Sequence, residues 1–169
     1  MDTPALIAYE HPDTRISLAY CDHDGHLEHT GIVLHTLYNQ AGKVKQLVLH
    51  GNMRTIFTRN IPSITIPDLP ITGVPDYFAT DKKEYLIASP YTLDDVYALL
   101  EFADGVGAKY VYLYQDNEWY VSKPYYKNIS FKSLEHAFQD DPITDFEKRC
   151  QNFYDLAPYW LQMESPLWD

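Results

Sequence analysis

Ile16-Ser17-Leu18-Ala19-Tyr20-Cys21-Asp22-His23-Asp24-Gly25-His26-Leu27-Glu28-His29-Thr30-Gly31 is the stretch from which the fold of this chain is read. Ile16, Leu18 and Tyr20 alternate with Ser17 and Ala19, the period of a strand. The alternation stops at Cys21, and a run of Asp and His with Gly25 marks a turn. From Leu27 the period lengthens: Leu27, Gly31, Leu34 and Tyr38 fall on one helical face. A strand that hands over to a helix in this way can gather several polar side chains at one sheet edge, where binding and chemistry often sit.

Outward from this corner, Asn39 to Gly42 break the helix. Lys43 to His50 read as a second one, with Val44, Leu47 and Val48 inward and Gly51 after its end. Residues 1–13, with Pro4 and Pro12 and no clear period, read as an irregular lead-in. Pro62, Pro67, Pro70 and Pro75 make 61–76 a Pro-rich stretch that excludes helix. Its Ile61, Ile64, Ile66, Leu69 and Ile71 need burial, so an ordered loop is expected. Glu84 to Ser89 reads as a short strand. Thr92-Leu93-Asp94-Asp95 resembles a capping box for a helix through Ala103, ended by Asp104-Gly105-Val106-Gly107.

Lys109 to Ser122 carries a β-hairpin pattern around Asp116-Asn117, two residues that tolerate positive φ. That turn would set Tyr114 opposite Trp119 and Leu113 opposite Tyr120. Tyr110, Tyr112, Tyr114, Trp119 and Val121 then share one face, and Val111, Leu113 and Tyr120 the other. Such an aromatic stripe could stack bases, but here it reads as core. Ser133 to Phe138 and Thr144 to Tyr154 read as helices, the second with Phe146, Cys150 and Phe153 inward and Thr144 and Glu147 as a capping box. Residues 157–169 form a tail both apolar and acidic. One globular domain over 1–169 is expected: α+β, with a small, mainly antiparallel sheet that includes the Tyr-rich hairpin, packed by four or five helices.

Composition bounds the function. The 169 residues are 46% hydrophobic and 15% aromatic, with fifteen Tyr, which is not the composition of a disordered chain. Thirteen basic residues against 24 acidic ones give a formal charge of −11, which disfavours direct contact with nucleic acid phosphates. Eight of the acids lie between Glu135 and Asp169 against only Lys148 and Arg149. They offer Asp140, Asp141, Asp145 and Glu147, with Trp168, as a surface for a basic protein partner. No apolar run is long enough to span a membrane, and Met1-Asp2-Thr3-Pro4 lacks the basic flank of a signal peptide, so a cytoplasmic protein is expected. Cys21 and Cys150 are the only cysteines, which excludes a cysteine zinc cage.

Two chemistries could use the first corner. His23, His26 and His29 are suitable ligands for zinc or iron, although they straddle a turn. Cys21, near a helix start with His23 and Asp24 beside it, is a candidate nucleophile if its pKa is lowered. Against both stands a structural role, in which Asp22 or Asp24 shapes the turn and Gly25 takes positive φ. Patterns for a P-loop, a dinucleotide fold, a GxSxG elbow, HExxH or an EF-hand are absent.

Tyr20-Cys21-Asp22-His23-Asp24-Gly25, followed by Gly31, Leu34, Tyr38, Lys43-Val44, Leu47 and Gly51, resembles an uncharacterised family of small proteins found in bacteriophages, prophages and plasmids. The family core is Tyr, then Cys or Arg, His, any residue, Asp and Gly. Glu84-Tyr85 and the segments Tyr110 to Tyr114 and Trp119 to Val121 echo it more loosely. This chain departs from the pattern in having Asp22 where the family has His, with His23 moved next to Asp24. The resemblance implies an accessory protein of a mobile genetic element and assigns no activity. Two functions follow as expectations. The leading one is a non-enzymatic protein, without cofactor, that binds and modulates a host protein such as a defence or nucleic-acid-processing enzyme. The alternative is a hydrolase, dependent on a divalent metal or on a cysteine, using the Cys21–His29 corner. A third expectation is self-association through the apolar C-terminus.

Overall fold

A computed structural model describes residues 3–57, 75–77, 91–124 and 128–165 of the chain. The expected strand at Glu84 to Ser89, nearly all of the Pro-rich stretch, and Leu167 and Trp168 lie outside the described residues. The architecture is α+β: among the described residues, an eight-stranded sheet with helices on both of its faces. Its strands are β1 (Ala5–Glu10), β2 (Ile16–Cys21), β3 (Met53–Thr55), β4 (Asp76–Tyr77), β5 (Tyr91–Leu93), β6 (Tyr110–Gln115), β7 (Glu118–Lys123) and β8 (Asn128–Ser133). Their order is β4-β3-β2-β1-β6-β7-β8, with β5 also paired to β2.

The sheet is larger than expected, and it is mixed. Most neighbours are antiparallel, but β1 pairs parallel with β6, and β2 touches β3 in parallel at Cys21 and Met53. The central parallel pair exists because residues 1–13 are not an irregular lead-in. Ala5-Leu6-Ile7-Ala8-Tyr9 is the middle of the sheet, at most 8% exposed, antiparallel to β2 on one side and parallel to β6 on the other. A strand covered on both faces carries a continuous apolar run with no alternation to detect, and two flanking prolines made this one read as loop. β8, Asn128-Ile129-Ser130-Phe131-Lys132-Ser133, is a strand that the sequence analysis does not anticipate, because only Ile129 and Phe131 in it are apolar.

β6 and β7 pair with Tyr114 opposite Trp119 and Leu113 opposite Tyr120. Asp116 and Asn117 take φ of 51° and 63°, as a tight two-residue turn between right-twisted strands requires. Tyr112, Tyr114, Trp119 and Val121 point to one face of the sheet with Ala5, Ile7, Tyr9, Ala19 and Cys21. Leu6, Ala8, Ile16, Leu18, Tyr20, Val111 and Leu113 point to the other.

Six α-helices occur among the described residues: α1 (Ile32–Leu37), α2 (Ala41–Leu49), α3 (Val96–Val106), α4 (Leu134–Asp140), α5 (Phe146–Leu156) and α6 (Tyr159–Gln162). All but α3 pack on the Tyr112 face, where α1 and α2 contribute Ile32, Val33, Leu34, Leu37, Val44, Leu47 and Val48. The opposite face is covered, among the described residues, by α3 through Leu99 and Ala103. α3 begins one turn later than Thr92 would place it. Thr92 lies in β5, and Asp95 is the cap, its carboxylate accepting from the Ala98 amide at 2.9 Å. Gly107, at φ 71°, closes its C-terminus. The Thr144–Glu147 capping box does not form: Asp145 is the N-cap of α5 in left-handed conformation and makes no side-chain cap bond.

Candidate functional site

The corner after β2 is held by its backbone. The Asp22 amide donates to the Met53 carbonyl at 3.0 Å and the His23 amide to the Arg54 carbonyl at 2.7 Å, which extends β2 alongside β3. Positive φ falls on Asp24, at 59°, and not on Gly25. Gly25 is required for a different reason. Its amide donates to the Thr3 carbonyl at 2.8 Å, and a Cβ there would lie 2.4 Å from that oxygen and 2.7 Å from the Ala5 Cβ. The chain crosses the start of β1 in contact with it, and any side chain there would have to displace that strand. From the sheet, the Tyr112 hydroxyl donates to the Gly25 carbonyl at 2.7 Å, and the Thr30 hydroxyl donates to the Asp24 carbonyl at 2.7 Å. A π-helical turn, Leu27–Gly31, then leads into α1.

These bonds decide the chemistry of the corner. The Cys21 side chain is fully buried in the Tyr112 face, and its thiol donates to the His23 carbonyl at 3.3 Å. Burial pushes its pKa up to about 12, against a lesser opposing pull from the His23 backbone contact. A thiol so placed is held protonated, unlike the exposed thiols of lowered pKa that act as nucleophiles. The three histidines differ in surroundings. His23 is part-exposed beside the Asp22 carboxylate at 3.4 Å. His29 is 5% exposed and meets the Phe153 ring edge-on at 5.3 Å. The His26 and His29 rings are 6.3 Å apart. Among the described residues no three His, Cys, Asp or Glu side chains are grouped so as to hold a metal ion. Asp24 turns its carboxylate toward the Thr55 hydroxyl, 3.5 Å away. Of Cys21, His23, Asp24, His26 and His29, Cys21 and His29 are therefore buried, whereas His23, Asp24 and His26 are part-exposed.

The corner does meet the acidic segment. His26 and Glu28 form one wall of a cleft of about 400 Å³ whose other walls are Tyr110, Lys123, and Asp140 to Ile143. Lys123 Nζ lies 2.6 Å from Asp141 and 5.9 Å from the centre of the Tyr110 ring. Lys132 Nζ pairs with Asp140 at 2.8 Å and holds that carboxyl below its usual range. Asp145 and Glu147, one turn further along, are exposed. Asp140, Asp141, Asp145 and Glu147 thus share the α4–α5 junction. Lys132 reaches it from β8, the strand that leads into α4, whereas Tyr110 and Lys123 come from β6 and β7, and no local pattern marks those two as belonging there.

No described helix is long and apolar enough to cross a membrane. Comparison with protein-family models, with curated proteins and with solved structures finds no match.

Proposed function

We propose that this chain is a small acidic binding protein, an accessory of a mobile genetic element, that engages a basic host protein through the α4–α5 junction. The observation that carries this reading is the exposure of Asp140, Asp141, Asp145 and Glu147 on that junction of a chain with formal charge −11. Lys132 and Lys123 neutralise Asp140 and Asp141 in part, which leaves Asp145 and Glu147 as the carboxylates offered outward. Long-range attraction between such a face and a basic groove accelerates association and fixes orientation. The mobile-element context rests on the resemblance around Tyr20 to Gly25. The corner itself supports a scaffold role better than catalysis, because Cys21 is sealed and, among the described residues, its histidines form no ligand group of three.

The test uses tagged wild-type chain and the variant Asp145→Asn/Glu147→Gln as baits in bacterial lysate at low and high salt. One stoichiometric partner, released by salt and lost with the variant, is the expected result. A partner retained equally by both baits at every salt concentration overturns the reading.

A further inference from the structure

α5 stops at Leu156, and the chain beyond it runs back over the link between α1 and α2. Ala157 and Pro158 are extended, at ψ of 151° and 150°. Proline cannot continue a helix, and it holds the residue before it out of helical conformation. α6 follows, a single turn without a side-chain cap. Of residues 158–165, Leu161 alone is buried, on the Tyr112 face of the sheet. A segment with one apolar anchor and an extended joint behind it is built as a strap.

The strap's other fastenings are polar and lie along Asn39 to Lys43. Gln40 Nε2 donates to the Ser165 carbonyl at 3.0 Å, and Gln40 Oε1 accepts from the Ser165 amide at 3.2 Å. One side-chain amide thus pairs with both backbone groups of a single residue. Asn39 Nδ2 donates to the Glu164 carboxylate at 3.4 Å. Lys43, in the first turn of α2, is 1% exposed, and its Nζ donates to the Leu161 carbonyl at 2.9 Å. Gln162 Nε2 donates across the joint to the Tyr154 carbonyl at 2.6 Å.

Closure sets two effects against each other. The Leu161 side chain and the Gln40 pairing gain from it. Lys43 loses, because the closed strap holds an ammonium away from water with a neutral carbonyl to receive it. Burial accordingly holds the Lys43 pKa below that of an ordinary lysine, against an upward pull from Glu164. Lifting the strap returns the ammonium to water, and the cost of opening falls by that amount. Segments with few buried apolar groups open well before the core does. β1 and β6, fully buried at Ile7 and Tyr112, lie at the other end of that scale.

We infer that residues 158–165 are a strap that opens as one unit about Ala157–Pro158 while the sheet stays folded, and that opening uncovers the Lys43 amine. This goes beyond the proposed function and does not rest on it. The test uses the full chain, as wild type and as Gln40→Ala, each with its melting transition recorded. Gln40 makes no side-chain capping bond to α2, so the variant acts on the strap. N-hydroxysuccinimide acetate acylates amines, and mass spectrometry follows Lys43 against Lys45, which is exposed on the same helix. In wild type Lys43 is expected to label more slowly than Lys45, yet without unfolding of the chain. Gln40→Ala should speed Lys43 about tenfold and leave Lys45 unchanged. The Leu161, Gln162 and Met163 amides, which donate to the Pro158 and Tyr159 carbonyls, should exchange hydrogen faster by that same factor, with the Ile7 and Tyr112 amides unmoved. Ser165→Pro, at the far end of the strap, removes one of the two Gln40 bonds and repeats the test at about threefold if Gln40→Ala fails to fold. Lys43 labelling as fast as Lys45 in wild type overturns the strap as a cover. Strap amides that exchange only at the rate of Ile7 and Tyr112 overturn its separate opening. Graded amide rates, with Lys43 labelling unaffected by Gln40→Ala, mean fraying from one end and overturn the single unit.

Discussion

The two faces of the sheet are built by different means. On the face of Leu6, Leu18 and Val111, α3 does the covering among the described residues, and its limits are written locally: the Asp95 carboxylate caps one end and Gly107 closes the other. On the face of Ile7, Tyr112 and Trp119, α1, α2, α5 and α6 all lack a side-chain cap, and α4 alone has one, from Ser133. What fixes these helices is contact made at a distance: Tyr112 to Gly25, Trp119 Nε1 to the Tyr38 carbonyl at 2.8 Å, and Lys43 to Leu161. A helix with its own stop signals can stand alone on a sheet. A group of short helices without them holds only as a packed set. The cleft beside the α4–α5 junction lies on the side built by packing.

The sharpest comparison of the two faces is a pair of truncations. Leu99→Ala empties a fully buried site under a helix pinned at both ends, where collapse is hindered, and should cost about 4 kcal/mol. Leu34→Ala, equally buried under the uncapped α1, should cost about 3 kcal/mol because that helix can settle into the space. Chemical denaturation of both variants checks the order, and a larger loss at Leu34 would reverse it. Gly25→Ala comes next. The new Cβ meets backbone at Thr3 and must displace the start of β1, for about 2–3 kcal/mol. Tyr112→Phe removes the bond that ties the same corner to the sheet and should cost about 1–2 kcal/mol.

The contrast between faces also explains what the sequence could show. The hairpin was legible to its register because a two-residue turn and alternating side chains are local facts, and α3 was legible to within one turn for the same reason. β1 was not. A strand paired on both sides and buried on both faces shows no period, and its parallel partner β6 is a hundred residues away in the sequence. At the corner, closeness in sequence does not set burial: Cys21 and His29 are buried, whereas His23 and His26, within a few residues of them, are part-exposed. Capping gives a smaller test of the same point. Asp95→Ala should lower stability by about 1 kcal/mol, whereas Thr144→Ala, which removes no capping bond, should change it by less than about 0.5 kcal/mol in thermal unfolding.

The smallest expected effect is a pH dependence confined to the packed side. His35 stands between the Phe138 and Phe146 rings at 5.4 and 5.8 Å, and burial lowers its pKa, with Glu135 on α4 pulling the other way. Glu147 and Cys150 of α5 and Glu118 of β7 line the concavities on either side of it. In the unfolded chain the imidazole takes a proton near its ordinary value of about 6.5, and in the folded chain only below that. The unfolded state therefore binds more protons as the pH falls through that range, and stability present above it is lost until the folded-state value is passed. His35→Gln removes the titration, so the stability of wild type relative to this variant should fall as the pH is lowered from above 6.5. His11, whose pKa burial also lowers, titrates in both proteins and cancels from the difference. A difference that stays flat with pH would mean that Glu135 and Glu147 offset the burial of the imidazole, and that α5 packs on α1 without regard to its charge.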